Sequence, residues 1–383
     1  MKINIIGGGP AGLYFAILMK QLDPAHEINL IERDGPSDTF GWGIVFSDQT
    51  FSYLKENDLE SFDNITSEAV IWDNVDIVHK NQKVTIRGNR FSGIGRLAFL
   101  NILHNRCRAL GVRLDFHTNV TDVSNVTECD LLVGADGANS LVRRTCDESF
   151  KPSVELRKNR YIWLGTRQLF NGLTLTFREH EAGLFIAHSY KFNSDTSTFI
   201  VECSEETWRN AGFEQMSDQE TCEYLADVFK NDLGGHPLLS NNFVRWLNFP
   251  LVKNERWYHR NVVLLGDALH TAHFSIGSGT KLALEDSISL ADCFRKTSSV
   301  EEALSEFERT RKPVIDAYQE AAYSSLLLFE NAKDEMYLDP LPFAYRMMTR
   351  SKRIDYEKLK KRDPLFIAAY DEWMRSHPSD SIR

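Results

Sequence analysis

One stretch limits what this 383-residue chain can fold into more than any other: a short strand-like run, KINII, breaks into Gly7-Gly8-Gly9-Pro10-Ala11-Gly12 and then into the apolar run Leu13 to Met19. A G-x-G-x-x-G pattern between a strand and a helix is the turn of a βαβ dinucleotide-binding unit. The first glycine (Gly7) makes the turn, the second (Gly9) admits a pyrophosphate, and the third (Gly12) packs helix on strand. The second strand, HEINLIER, ends at Glu32, about 20 residues further on, where the fingerprint expects an acid for a ribose hydroxyl. Arg33 stands beside it and joins the cofactor-binding candidates.

A second stretch, Val262 to Ser287, runs an apolar strand into Gly266-Asp267, then two histidines, then Gly277-x-Gly279, and only then into a helix from Lys281 to Ala291. Glycines just before a helix N-terminus leave backbone N–H groups unshielded where the dipole favours negative charge, so this loop suits an anionic or electron-rich group. Between the two stretches, CDLLVGADG reads as another strand, ending at Asp136-Gly137. Arg96 opens a helix whose Leu97, Leu100, Ile102 and Leu103 face a core.

From about Tyr161 to Cys203 the pattern changes to alternating strands, and from about Val300 it becomes helical and charged. The reading is an α/β fold: a Rossmann-like nucleotide-binding domain (1–70, 96–150 and 258–300), an inserted antiparallel β-sheet substrate domain (71–95 and 151–257) and a C-terminal helical region (301–383). The net charge of −10 argues against a nucleic-acid binder, whose footprint is basic. Six scattered cysteines without a C-x-x-C pair indicate neither a metal site nor a disulfide framework. Glycines and a proline interrupt the first apolar run, no signal cleavage site follows, and no stretch reaches the roughly 18 apolar residues of a membrane span. The expectation is a cytoplasmic monomer or homodimer.

Three strand-end signals in this order, G-x-G-x-x-G, D-G and G-D, resemble the class A FAD-dependent aromatic monooxygenases, the para-hydroxybenzoate hydroxylase family. The resemblance implies FAD held by Gly7, Gly9, Gly12, Glu32, Arg96 and Asp267, with Asp136-Gly137 near the pyrophosphates. It implies NADH or NADPH as a transient co-substrate and O2 as oxidant, with a flavin C4a-hydroperoxide attacked by the ring substrate. "PAHEINLIERDGPSDTFGWGIVFSDQT" and "HTAHFSIGSGTKLALED" are similar to aryl-CoA hydroxylases, and "NRYIWLGT", "STFIVECSEET" and "HFSIGSGT" to the violacein-pathway hydroxylase. These imply an aryl-CoA thioester or, alternatively, a free tryptophan-derived or indolic metabolite. A flavin-binding protein without oxygen chemistry is the reading from another class. The W-x-W-x-I-P pattern of flavin halogenases is absent.

The chain departs from the family at His273 and Phe274, where prolines stand, and at Lys281, where asparagine stands. Lys281 is expected to stabilise an anionic reduced flavin by its charge. His188 and His273 are the candidate proton acceptors, since histidine titrates in the useful range, and His270 is expected to orient the loop. An intermediate kept from water needs an aromatic-lined pocket, for which Trp42, Phe46, Trp163, Phe185, Tyr190 and Phe274 are the candidates. A basic run containing Arg350, Lys352, Arg353, Lys358, Lys360, Lys361 and Arg362 is the candidate partner of CoA phosphates.

Overall fold

The computed structural model describes residues 1–241 and 245–377; residues 378–383, expected to close the helical region, lie outside it. Strands Lys2–Ile6, Glu27–Ile31, Arg113–Asp115, Leu131–Gly134 and Val262–Leu264 pair in parallel, with Tyr258–His259 antiparallel at one edge. The side chains of the central strands Lys2–Ile6, Leu131–Gly134 and Val262–Leu264 are almost wholly buried, as suits a parallel sheet covered on both faces. Helix Pro10–Leu22 starts with its proline at the first position, where no N–H is needed. It is buried from Ala11 to Lys20 because helix Gly279–Lys296 packs along it. The last residues of the central strands, Ile6, Gly134 and Leu264, therefore deliver their loops to one edge of the sheet.

The second sheet is built from Gly43–Ser47, Val70–His79, Gln82–Gly95, Pro152–Thr166, Leu173–His180, Gly183–Lys191, Ser197–Cys203, Leu238–Leu239 and Leu247–Asn254. Gly43–Ser47 differs from the expected boundary at residue 70. It pairs with Gln82–Gly95, and Gly43 also donates its N–H to Thr198 Oγ1 (2.9 Å), so its backbone is satisfied in the second sheet rather than the first. Alternation along the strands gives this sheet two distinct faces. Phe199, Val201 and Cys203 pack with Phe185 and Ala187 beneath the helices of residues 205–233. The opposite face presents Asn159, Tyr161, His188 and Glu202, and beyond them Ile186, Leu175 and Phe177 meet the C-terminal helices through Phe329 and Phe343.

Two expected pocket residues are corrected by this packing. Phe185 neighbours His188 in sequence, but its register in the strand turns it to the far face, where it contacts Phe213 and Tyr224. Phe46 points into the first core, against Phe51 and Phe99. Both are 0% exposed. Phe185→Ala should cost about 3–5 kcal/mol of stability, the range for deleting a buried phenylalanine. Urea denaturation of the flavin-loaded protein should show that loss while its flavin content stays at the wild-type level.

Candidate active site

The glycine turn divides its work among its residues. Gly7 has φ +109°, and a Cβ there would overlap the carbonyl of Ala135 on the neighbouring strand. At Gly12 a Cβ would overlap the carbonyl of Gly7, so helix and turn touch backbone to backbone. At Gly9, by contrast, a Cβ would meet nothing within 4 Å. Glu32 closes the turn by accepting from Gly8 N (2.6 Å) and Asp34 N (2.9 Å). Arg33 does not join this cluster: it is exposed and pairs with Asp34 at 3.3 Å. On the neighbouring strand end, Asp136 Oδ2 caps a helix start through Leu141 N (2.6 Å) and Val142 N (3.2 Å), while its buried Oδ1 has no partner among the described residues. Gly137 (φ +78°) also faces open space. Arg143 ties this corner to the next loop by donating to the carbonyls of Ala138 and Ala268.

Arg96 and Asp267 come together from elements 171 positions apart. The backbone N–H of Arg96 donates to the carbonyl of Trp42 (2.8 Å), and its buried side-chain Nε has no partner among the described residues. Asp267 remains accessible to solvent, yet its other sides are walled by protein. That enclosure raises its carboxyl above the ordinary value, with His270 and Arg96 pulling it back down. His270 Nε2 donates to Asp286 Oδ2 (2.8 Å), and Asp286 Oδ1 accepts from Arg311 Nε at 2.9 Å, so the loop after Asp267 is anchored to the helix it leads into. At that helix's N-terminus a Cβ on Gly277 (φ +60°) or Gly279 would likewise meet nothing within 4 Å.

Lys281 is buried rather than free. Its ammonium pairs with Glu285 one turn further along the helix and donates to Tyr318 Oη (2.9 Å). The expected free positive charge for a reduced flavin is thereby balanced by a carboxylate, because the side chain runs along its own helix.

Beside the loop lies a narrow cleft lined by Arg157, Asn159, Tyr161, Glu202, Phe249, His273, Phe274, Leu326 and Glu330. His188 sits at its wall, its ring edge-on to Phe274 (5.2 Å between centroids) and its Nε2 3.2 Å from Glu202 Oε2. Glu202 also accepts from Asn159 (2.8 Å), and these hydrogen bonds, with the histidines nearby, hold its carboxyl below the usual value against the cost of burial. Tyr190 hydrogen-bonds the carbonyl of Gly43 (2.8 Å) and stacks on Trp72 (6.0 Å). Trp42 covers Gly165 and Trp163 covers Gly41, a reciprocal contact that leaves both indole N–H groups buried without partners. Sequence reasoning missed Glu202, Asn159 and the ion pair of Arg157 with Glu330 (2.6 Å). The alternation that places His188 on the site face would also have placed Glu202, on the adjoining strand, there.

The basic run does not form one patch. Arg350 turns inward and donates from all three nitrogens to Ser325 Oγ, Met347 O and Ser275 O. Arg353 lies over Tyr318 (4.1 Å) and Arg362 donates to Asn89 (2.9 Å).

Residues 1–322 match the family model described as "FAD binding domain". The chain belongs to the FAD-dependent aromatic hydroxylases. It is 37% identical to a salicyloyl-CoA 5-hydroxylase of Streptomyces sp over 395 residues, covering 100% of this chain and 76% of that protein. It is 34% identical to the protodeoxyviolaceinate monooxygenase of Chromobacterium violaceum, covering 92% and 95% respectively. A solved 2-methyl-3-hydroxypyridine-5-carboxylic acid oxygenase, in its tetrameric form, shares the fold with a TM-score of 0.71 at 20% identity over 94% of this chain and 95% of that one.

The hydroxylase's own geometry fits FAD. Gly9, Gly137, Gly277 and Gly279 leave room beside backbone N–H groups, and Arg96 Nε and Asp136 Oδ1 are buried polar atoms awaiting partners. Glu32 would take the ribose, the two helix N-termini the anionic groups, and Asp267 with Arg96 the remainder of the cofactor. Bound there, FAD would supply the redox chemistry, with NAD(P)H as electron donor and O2 as oxidant. Gly9→Val should abolish FAD binding, since its side chain would enter the open space before the helix. The check is the flavin absorbance of purified protein after reconstitution, which should be lost in the variant and retained in wild type.

Burial holds His104 and His273 down to about 4, with repulsion from Arg108 adding to the effect at His104. A histidine kept neutral in the fold adds no pH dependence above its ordinary 6.5. Below that the unfolded chain binds the proton first, so stability is lost as pH falls from 6.5 towards about 4. His104→Gln should flatten that part of the stability profile, measured by denaturant midpoints across the range.

Proposed function

We propose that this hydroxylase acts on an aromatic ring carried as a CoA thioester, in the cytoplasm, with the ring in the cleft between Tyr161, His188, Glu202 and Phe274. The observation that carries the reading is the likeness to the salicyloyl-CoA 5-hydroxylase, which runs over the full length of this chain. The cleft's chemistry agrees with it. Tyr161, Phe249 and Phe274 surround about 200 Å³ of empty space that is too narrow for a water molecule as it stands, so these rings must part for a flat ring to stack between them. His188 with Glu202 can then take a proton from a ring hydroxyl or amine, which makes the ring more nucleophilic. Trp42, Trp163 and Tyr190 stand on the same side of the sheet, towards Arg96. Of the basic run, Lys352, Lys360 and Lys361 are exposed and can meet phosphates, whereas Lys358 donates to the carbonyl of Arg353 (3.0 Å) and pairs with Asp355 (3.5 Å), and Arg350 is withdrawn into the fold.

NAD(P)H oxidation should be measured with salicylate, anthranilate and an indolic acid, each offered free and as its CoA thioester, with peroxide followed in parallel. The expected result is strong stimulation by at least one thioester, a hydroxylated product in proportion to NAD(P)H used, and little stimulation by the matching free acid. Equal turnover of free acid and thioester would sink the CoA reading, and turnover of the indolic compound alone would transfer the assignment to free metabolites. Oxidation that is rapid without any aromatic, with stoichiometric peroxide, would count against a substrate-gated hydroxylase.

A further inference from the structure

The loop that carries Phe274 contains a hydrogen-bond chain with only one workable direction. Arg350 donates from Nε to Ser325 Oγ (3.0 Å) and from Nη2 to the carbonyl of Ser275 (2.6 Å). Ser325 Oγ lies 2.8 Å from Ser275 Oγ, which lies 2.9 Å from His273 Nδ1. A guanidinium has donors only, so Ser325 must spend a lone pair on it. Ser325 is fully buried, and among the described residues its hydroxyl hydrogen has no acceptor other than Ser275 Oγ. That hydrogen therefore goes to Ser275, and the Ser275 hydrogen goes to His273. The reverse order would leave a buried hydroxyl hydrogen unbonded, which proteins avoid. The backbone N–H of Ser275 points at the same Nδ1 (3.4 Å). Two donors converge on Nδ1, so it is a lone pair and the ring proton sits on Nε2.

Among the described residues Nε2 makes no hydrogen bond, and the His273 ring lines the cleft with Tyr161, Glu202, Phe249 and Phe274. We propose that His273 is the neutral Nε2–H donor that holds an oxygen of the aromatic substrate, and that Arg350, Ser325 and Ser275 are positioning residues that keep it in that form. The substrate contact rests on the ring occupying this cleft; the tautomer does not. The charges around His273 are Glu202, which favours a second proton, and His188, Arg350 and Arg157, which oppose it together with burial. The histidine expected from sequence to be a base thus has its basic nitrogen occupied, and His188 is left as the proton acceptor.

The test uses FAD-loaded enzyme carrying 15N-labelled histidine, with the His273 signals assigned by His273→Gln. At about pH 7, where ordinary histidines are mostly neutral, wild type should show the Nε2–H pattern. Ser275→Ala and Arg350→Gln should each bring in the Nδ1–H form and lower kcat/KM for the aromatic substrate about tenfold, one hydrogen bond's worth, with flavin content unchanged. Ser275→Thr, which keeps the hydroxyl, should restore both. An Nδ1–H or doubly protonated ring in wild type overturns the proposal. So does an Nδ1–H form in the variants with unchanged kinetics. If no aryl thioester is a substrate but a free aromatic is, the same comparison is made with that aromatic and judged by the same criteria, so the two readings fail separately.

Discussion

The carboxylate of Asp286 holds together the parts that make the site. It is 0% exposed and bonded by His270 on one oxygen and Arg311 on the other. His270 lies in the loop after Asp267, Asp286 in helix Gly279–Lys296, and Arg311 in the long helix Val300–Glu330. A buried carboxylate is costly to desolvate, and the cost is offset only when its oxygens are bonded well. Here those bonds and the opposite charges keep its carboxyl below the ordinary value in spite of burial. Arg311 also pairs with Glu285, which binds Lys281, so five ionisable groups become one unit. Removing Arg311 would leave Asp286 without its guanidinium partner, and removing Asp286 would leave His270 and the loop before the helix N-terminus without this anchor.

From that anchor the two sheets meet at a line. The parallel sheet ends its strands at the glycine turn, just before Asp136 and just before Asp267, so three loops leave it at one edge. The second sheet contributes a face rather than an edge. Alternation along Pro152–Thr166, Gly183–Lys191 and Ser197–Cys203 puts Tyr161, His188 and Glu202 on one face, where Tyr161 and His188 meet Phe274. The C-terminal helices close the far side, and Arg350 reaches from them to the carbonyl of Ser275. The helical region is thus tied to the loop that carries Phe274.

How far the sequence could be read follows from how local each signal is. The pattern of Gly7, Gly9 and Gly12 is contiguous in the chain, and the φ of +109° at Gly7 is one that glycine adopts without strain. Phe185 shows the opposite case. Its composition suits a pocket, but one step of strand register sends it to the other side of the sheet. Glu202 went unnoticed because an isolated glutamate in a strand carries no motif; it acquires meaning only opposite His188 and Asn159. The basic run shows that proximity in sequence does not make a patch, since Arg350 and Arg353 are drawn in by partners contributed by other helices.

The sequence by itself determined the nucleotide turn, the order of its three strand-end signals and the membership that these imply, because such features are built from contiguous residues and backbone geometry. Only the tertiary structure decided which charges remain available. Lys281 is neutralised by Glu285, Arg350 is spent on a loop carbonyl, and His273 has its Nδ1 taken by Ser275. The physical reason is that a side chain's charge and proton are set by its partners. Those partners come from elements far apart in the chain, and no local pattern encodes their meeting.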